Sequence, residues 1–106
     1  MIAQKFRIPK EHIPYLMKKG EEKASDLFII RYAKNDQIFC RYRTIVSKKI
    51  EKEAVDRNKL RRQIYEAARN SDYKSENGYD ILLIPKKQIL KKSFQDIQKD
   101  LCSIKF

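Results

Sequence analysis

Residues 41–69 read RYRTIVSKKIEKEAVDRNKLRRQIYEAAR and combine the patterns of a strand and of a helix. The strand pattern extends over residues 38–47, where apolar or small side chains alternate with others. Because successive side chains of a strand point to opposite faces, Arg41 and Arg43 share the face that is not apolar. The stretch therefore begins with a half-buried strand that carries two arginines on one side.

The helix pattern covers residues 52–70, which are rich in good helix formers. Leu60, Ile64 and Ala67 recur at i, i+4 and i+7, a spacing that puts three apolar side chains on one side of a helix. These positions predict the stripe that packs against the rest of the protein.

Further elements are predicted on either side of this stretch. They are a short helix at residues 10–19 that ends at Gly20, a short strand near 22–25, a strand at 26–33, a buried strand at 79–85 and a helix that begins after Ser93. A polar turn at 34–37 predicts that the strands on its two sides form an antiparallel pair. Ser93 and Asp96 have the spacing of a capping box. The order predicts one α+β domain, residues 1–106, in which helices pack on a single sheet.

Length and composition limit the classes of protein to which the chain can belong. The 106 residues suit one domain, and 42% hydrophobic residues are too many for a disordered basic tail. Cys40 and Cys102 match no metal-ligand spacing and are predicted to be small buried residues without a disulfide. No signal-peptide pattern begins the sequence, and no run approaches the roughly 20 apolar residues of a membrane span. We therefore expect a cytoplasmic protein that does not bind a membrane.

The basic charge is concentrated in the strand-and-helix stretch. Residues 41–69 contain ten cations and four acids, so this quarter of the chain carries a net +6 of the total +11. If Leu60 faces the core, a rotation of about 100° per residue defines the outward side of the helix. That side carries Asn58, Arg61, Arg62, Tyr65 and Arg69, with Arg57 at its edge.

Guanidinium groups on this helix match phosphate oxygens better than they suit a solvated surface. An exposed helix more often pairs Lys with Glu at i, i+4, and the outward side has few such acids. Arg presents a planar fork of donors to phosphate, and Asn offers a donor and an acceptor together. The pattern favours nucleic acid over a solvated face, an anionic membrane or an acidic protein partner.

The sequence shows no catalytic centre. His12 is the only histidine, and acid–base catalysis on RNA usually needs two positioned groups whose pKa values lie near 7. Gly20 and Gly78 are isolated, so no glycine loop can cradle a phosphate. Metal-ligand spacing is also absent. These observations favour binding over catalysis by the protein.

The order of residues in the stretch 41–69 is specific. An arginine-led strand ends in V-S-K-K and is followed by A-V-x-R-N on a helix, with a further arginine pair after it. This order resembles the signature of the protein subunit of bacterial ribonuclease P. The matching positions are Arg41, Val46, Ser47, Lys48, Lys49, Ala54, Val55, Arg57, Asn58 and Arg62. The strand at 79–85 and the helix that begins SFQDI at 93 are also similar to the family, so the resemblance covers roughly residues 6–104.

The resemblance implies a two-layer α/β sandwich with the order α-β-β-β-α-β-α, a central mixed sheet and a left-handed βαβ crossover. It also implies a partner, a large catalytic RNA that removes the 5′ leader of precursor tRNA with the help of Mg²⁺. In that family the protein is not the catalyst. It binds the RNA and the leader, as a monomer within the ribonucleoprotein.

The family's functional residues transfer position by position onto the helix and the turn before it. The residues implied to contact the catalytic RNA are Arg57, Asn58, Arg61, Arg62, Lys59, Lys48 and Lys49. Arg61 stands where lysine is usual and keeps the charge. Lys59 replaces a frequent arginine, so it keeps the charge and loses the fork of donors. Tyr65 also replaces a frequent arginine and is not among the residues implied to contact the RNA.

The leader-binding side departs further from the family pattern. Ile13 and Met17 occupy first-helix positions where phenylalanines are usual, so stacking is lost, and either Tyr15 or Tyr32 is a candidate replacement. Arg43 replaces a characteristic glycine beside Arg41. We therefore expect a leader cleft with less stacking and more charge than the family pattern provides, and we assign five residues to it. They are Ile13, Met17, Tyr32, Arg41 and Arg43.

Two other classes of function remain open on the sequence. A small ribosomal or ribosome-associated RNA-binding protein would share the charge without requiring this order of residues. A stand-alone endoribonuclease would depend on His12 and would cleave RNA without an RNA partner.

Overall fold

The computed structural model describes residues 7–35, 40–70 and 78–104. Its elements are a 3-10 helix at Lys10–His12, α1 at Ile13–Lys19, β1 at Glu21–Ala24, β2 at Phe28–Lys34, β3 at Arg41–Thr44, α2 at Ala54–Asn70, β4 at Tyr79–Pro85, a 3-10 helix at Lys87–Lys91 and α3 at Phe94–Cys102. This succession confirms the predicted α+β class and the α-β-β-β-α-β-α order. Within the described part of the chain, no helix is long and apolar enough to cross a membrane.

Four strands form one mixed sheet in the order β1-β2-β4-β3. β2 pairs antiparallel with β1 and with β4, whereas β3 pairs with β4 in parallel. The predicted antiparallel pair of β2 with β3 is therefore wrong, because β4 lies between them. The reason is burial, since the apolar β4 needs neighbours on both sides and over both faces, and a half-buried β3 suits the sheet edge. Residues 36–39, which hold part of the predicted turn and the start of the predicted strand 38–47, lie outside the described residues.

Helix α2 connects the parallel strands β3 and β4. Parallel neighbours cannot be joined by a tight hairpin and need a crossover, which a helix usually supplies. This unit places α2 beside the edge strand β3. The left-handed sense of the crossover stays a prediction.

One face of the sheet packs against α2 and α3 and forms the main core. Its fully buried side chains include Phe28, Ile30, Ile64, Ala67, Ile81, Leu83, Ile97 and Leu101. The predicted stripe on α2 is confirmed, because Leu60 also lies in this core and is only 7% exposed.

The opposite face of the sheet carries a smaller cluster under α1. Ile8 and Leu16 pack there against Leu82, and all three side chains are at most 1% exposed. Alternation along β4 explains both clusters, because Leu82 points to the face opposite to that of Ile81 and Leu83. The second cluster holds α1 and the N-terminal segment on the sheet.

Helix α1 ends at Gly20 as predicted, and the Gly20 N–H donates to the Leu16 carbonyl over 3.0 Å. Arg31 on β2 donates from Nε to the Leu16 carbonyl over 3.2 Å and from Nη2 to the Met17 carbonyl over 2.8 Å. The predicted apolar face of α1 is only partly correct, because Ile13 is half-buried and Met17 is 50% exposed. A helix of seven residues turns just one side chain, that of Leu16, fully into the cluster.

The predicted capping box of α3 is present. The Ser93 hydroxyl accepts from the Asp96 N–H over 3.2 Å, and the Asp96 carboxylate accepts from the Ser93 N–H over 3.1 Å. The backbone hydrogen bond from Ser93 lowers the pKa of the Asp96 carboxyl, since it stabilises the charged form. These contacts set where α3 begins.

The two cysteines differ in exposure. Cys40 is buried, as predicted, and burial raises the pKa of its thiol. Cys102 is exposed, so the prediction that it is buried is wrong. It follows Leu101 by one residue, and about 100° of helical rotation carries it off the apolar stripe of α3.

Candidate RNA-binding surface

The outward row of α2 consists of Asn58, Arg61 and Arg62. Burial of Leu60 and Ile64 fixes the rotation of the helix, so the three polar side chains lie away from the main core. Asn58 and Arg62 are exposed, and Arg61 is half-buried. The structure therefore brings together three of the residues implied to contact RNA.

Contacts within this row leave its donors available. Arg61 Nη2 donates to the Asn58 side-chain oxygen, so the Asn58 amide nitrogen is left as a donor at the surface. Arg62 has no hydrogen bond or ion pair to any described residue. The row accordingly presents amide and guanidinium donors, and none of its three side chains is an acid.

Arg57 has a different place at the start of α2. Its Nη1 donates to the carbonyls of Glu51 over 3.1 Å and Lys52 over 2.6 Å, and the side chain is half-buried. The guanidinium therefore ties the segment before the helix to its first turn. These two hydrogen bonds occupy the Nη1 group of Arg57, a residue that the family resemblance implies to contact RNA.

The three lysines implied to contact RNA are all exposed. Lys48 and Lys49 lie in the turn between β3 and α2, and Lys59 lies on α2 beside the buried Leu60. None of them lines the groove of ≈ 550 Å³ that lies beside the outward row. Their contribution to RNA binding stays a prediction.

Tyr65 and Arg69 are both expected on the outward side of α2, and neither belongs to the outward row. Tyr65 is only 8% exposed, and its hydroxyl accepts from the Thr44 N–H over 3.2 Å, so its predicted outward orientation is wrong. The contact face of α2 is wider than a three-residue stripe because the helix also packs on β3. Arg69 Nη2 pairs with Glu66 Oε2 over 2.8 Å, so its charge is compensated and we do not assign it to the RNA-binding row.

A groove of ≈ 450 Å³ lies between α1 and the sheet. Its lining residues are His12, Tyr15, Leu16, Ala33, Lys34, Asn35, Arg41 and Asp80. Two tyrosines, Tyr15 and Tyr32, were candidates to replace the missing stacking. Tyr15 lines the groove and is 60% exposed, whereas Tyr32 does not line it.

The other residues expected in the leader cleft lie elsewhere. Ile13 packs into the Ile8 cluster, and the exposed Met17 side chain does not line the groove. Tyr32 points to the opposite face of the sheet, where it packs against the main core and meets the Tyr79 ring edge-on with centroids 6.0 Å apart. Strand alternation places it there, because Arg31 and Ala33 are the residues of β2 that face α1.

Arg41 lies in the groove, but its guanidinium is already engaged. Nε donates to Asp80 Oδ1 and Nη2 donates to Asp80 Oδ2, each over 2.7 Å. Asn35 Nδ2 donates to Asp80 Oδ1 over 2.9 Å, and His12 Nδ1 lies 3.7 Å from Asp80 Oδ2. The hydrogen bond with Asp80 raises the pKa of Arg41. The pair orders this wall of the groove and neutralises much of the charge that Arg41 was expected to offer.

Arg43 does not line this groove. Its Nη1 donates to the Ile8 carbonyl over 3.1 Å, and its side chain lines a second groove with Asn58 and Arg62. The structure thus separates Arg43 from Arg41, although both occupy the same face of β3.

The sequence reasoning missed two residues that shape these grooves. Asp80 is a single acid in the apolar run YDILLIP, and a charge in a buried strand requires a partner, so this signal was present. Arg7 carried no signal, because only the fold places the N-terminal segment against β3. In the described residues, no three His, Cys, Asp or Glu side chains form a group that could hold a metal ion.

Comparison with known proteins agrees with this geometry. The family model for ribonuclease P matches residues 5–104. The chain belongs to the ribonuclease P protein family. It is 36% identical over 87 residues to the ribonuclease P protein component of Mesoplasma florum, which covers 81% of this chain and 78% of that protein. It is 39% identical over 85 residues to the component of Clostridioides difficile, which covers 79% and 74%.

Solved ribonuclease P proteins share the fold. The protein from Thermotoga maritima matches with a TM-score of 0.79 and 24% identity over 94% of this chain and 98% of that one. A mutant protein from Staphylococcus aureus matches with a TM-score of 0.77 and 30% identity over 92% and 83%. The predicted fold class, the order of its elements and the family are therefore confirmed.

Proposed function

We propose that the protein is the protein subunit of a ribonuclease P ribonucleoprotein, in which a catalytic RNA removes the 5′ leader of precursor tRNA. Membership of the family supports this, together with curated relatives that are ribonuclease P protein components. The proposal includes the expectations of a cytoplasmic complex and of one protein copy in it.

The observation that carries the proposal is the outward row of α2. Asn58, Arg61 and Arg62 lie on one exposed face, and none of them pairs with an acid in the described structure. A strongly basic helix face without compensating acids is stabilised when a polyanion covers it. In the proposed complex this face binds the catalytic RNA.

The groove beside α1 is the proposed contact for the 5′ leader. Tyr15 offers an exposed ring on which a base can stack, and Lys34 adds a charge that attracts the backbone. The Arg41–Asp80 pair keeps this wall rigid. The leader therefore meets a stacking surface at Tyr15 instead of the aromatic pair that the family usually carries.

The proposed reaction assigns Mg²⁺ to the RNA. Divalent ions neutralise charge that develops on the phosphodiester and help to generate the attacking nucleophile. The described part of the chain offers no cluster of three potential metal ligands, so no protein residue is assigned as a ligand. The protein contributes to binding and positioning.

Reconstitution tests the proposal. Protein, ribonuclease P RNA and precursor tRNA are mixed at limiting Mg²⁺, and cleavage at the mature 5′ end is followed. Wild-type protein should stimulate correct cleavage, and Arg61→Ala/Arg62→Ala should reduce both stimulation and affinity for the RNA. Arg69→Ala is the matched control because it removes an arginine that is already paired with Glu66.

The salt dependence of binding gives an independent measurement. About six phosphate contacts imply a log–log slope of roughly −4 to −5 for binding to the RNA. A nearly flat dependence would contradict the proposal. Cleavage by the protein without RNA, abolished by His12→Ala, would point instead to a stand-alone endoribonuclease.

A further inference from the structure

Three separate segments of the chain build a second groove of ≈ 550 Å³ beside α2. One segment is N-terminal, one is the end of β3 and the third is α2. The lining residues are Arg7, Arg43, Thr44, Val55, Asn58, Arg61, Arg62 and Tyr65. None of them lines the groove beside α1, so the two sites are distinct.

The N-terminal segment is fixed at the sheet edge in a way that delivers Arg7 to this groove. Arg7 forms a parallel bridge with Tyr42, and the Ile8 N–H donates to the Tyr42 carbonyl over 3.1 Å. Arg43 Nη1 donates to the Ile8 carbonyl over 3.1 Å and adds a second contact between β3 and the segment. Both contacts use backbone atoms of the segment. The position of the Arg7 side chain therefore depends on its own packing contacts.

The buried Tyr65 supplies that packing. The guanidinium carbon of Arg7 lies 5.5 Å from the centre of the Tyr65 ring, within the range of a cation–π contact. The Thr44 N–H, which donates to the Tyr65 hydroxyl, holds the ring in place. Arg7 is therefore held over the Tyr65 ring and contributes a cation to the groove.

The charges in the groove favour an anionic ligand. Four of the eight lining residues are arginines, and none is an acid. Arg7 Nε is buried and has no hydrogen-bond acceptor among the described residues. Guanidinium groups that share one concavity repel one another, and a phosphate offers several acceptor oxygens to guanidinium donors at once.

The rim of the groove indicates more than a free phosphate. Val55 also lines the groove, and 76% of its surface is exposed beside the four arginines. An apolar surface of this kind suits the face of a ribose or a base. The Asn58 amide nitrogen is available nearby as a donor. The ligand that fits is therefore a nucleotide within an RNA strand.

We infer that this groove binds one backbone phosphodiester of the catalytic RNA, with Arg7 and Arg43 as ligands in addition to Arg61 and Arg62. The inference rests on the proposed function and extends it to the N-terminal segment. Continuity with the outward row of α2 favours the catalytic RNA over the leader. It follows that Arg43 serves the catalytic RNA, whereas sequence reasoning had placed it in the leader cleft.

Affinity of the full-length protein for ribonuclease P RNA, without precursor tRNA, tests this assignment. Arg7→Met and Arg43→Met keep the aliphatic stem and remove the donors. Each should weaken binding by about tenfold and reduce the magnitude of the salt slope by about 1, as expected for the loss of one phosphate contact. Arg7→Lys should recover part of the affinity, since it restores charge without the fork. Arg69→Met is the matched control and should change neither quantity.

Leader dependence separates the two possible sources of the phosphate. Once holoenzyme has formed at saturating protein, the Arg43→Met effect should be equal for long-leader and leaderless precursors. Normal RNA affinity combined with a selective loss of activity on long leaders would overturn the inference and return Arg43 to the leader. Unchanged RNA affinity in Arg7→Met, with a native thermal transition, would also overturn it.

The outward-row variant distinguishes failure of this inference from failure of the proposed function. If Arg61→Ala/Arg62→Ala weakens RNA binding and Arg7→Met does not, the groove assignment is wrong and the proposed function stands. If neither variant changes RNA affinity, both are wrong.

Discussion

Two arginine–carboxylate pairs of nearly equal length lie in different surroundings, and this difference predicts different energies. Arg41 Nε lies 2.7 Å from Asp80 Oδ1, with side-chain exposures of 15% and 8%. Arg69 Nη2 lies 2.8 Å from Glu66 Oε2, with exposures of 59% and 36%. Breaking a buried pair leaves an uncompensated charge out of water, whereas breaking an exposed pair does not. Arg41→Met should therefore destabilise the protein far more than Arg69→Met.

The contacts of Asp80 set the magnitude. Arg41→Met removes two charged hydrogen bonds of 2.7 Å from a carboxylate that is 8% exposed. Asn35 still donates over 2.9 Å, which keeps the cost at the low end of the range of about 3–5 kcal/mol for a broken buried pair. We expect a loss of about 3 kcal/mol for Arg41→Met and about 0.5 kcal/mol for Arg69→Met. Methionine retains the aliphatic stem, so loss of packing contributes little.

Urea unfolding followed by circular dichroism measures both free energies. The difference of about 2.5 kcal/mol corresponds to roughly 10–20 °C between the thermal midpoints of a domain of this size. Arg41→Met/Asp80→Leu should recover at least half of the loss, because it leaves no unpaired carboxylate. Equal losses in the two single variants, or no recovery in the double variant, would refute the explanation by an unpaired buried charge.

Three further predictions concern the ends of helices and the thiols. Ser93→Ala removes the hydroxyl that accepts from the Asp96 N–H in the capping box and should cost about 1 kcal/mol in urea unfolding; no loss would show that the cap does not stabilise α3. Gly20→Ala would place a Cβ 2.5 Å from the Leu16 carbonyl oxygen, so the end of α1 must shift. The expected cost is roughly 1–3 kcal/mol, and unchanged stability would mean that the backbone adapts freely. A thiol reagent should modify Cys102 about tenfold or more faster than Cys40, because Cys40 is buried and burial raises its pKa; mass spectrometry of single-cysteine variants measures both rates, and equal rates would contradict the described burial.

Local patterns predicted the elements well because their causes are local. The i, i+4, i+7 spacing of Leu60, Ile64 and Ala67 determines which side of α2 is buried, whatever the helix packs against. The capping box at Ser93 likewise depends on atoms only three residues apart. These signals were sufficient to predict the fold class and the outward row of α2.

Strand order was not predictable in the same way. The turn signal at 34–37 favoured a pair of β2 with β3, but pairing depends on which strand can be buried on both faces. β4, which lies about forty residues further along the chain, takes the central place. Only competition between distant segments decides this, and no local window contains it.

The sequence by itself determined the charged row on α2. When Leu60 and Ile64 are buried, helix geometry puts the outward row on the opposite side of the helix. The tertiary structure determined which contacts the other arginines make. It engages Arg41 with Asp80 and brings Arg7 beside α2. The physical reason is that a helix fixes neighbours three and four residues apart, whereas contacts across 39 residues exist only once the sheet has formed.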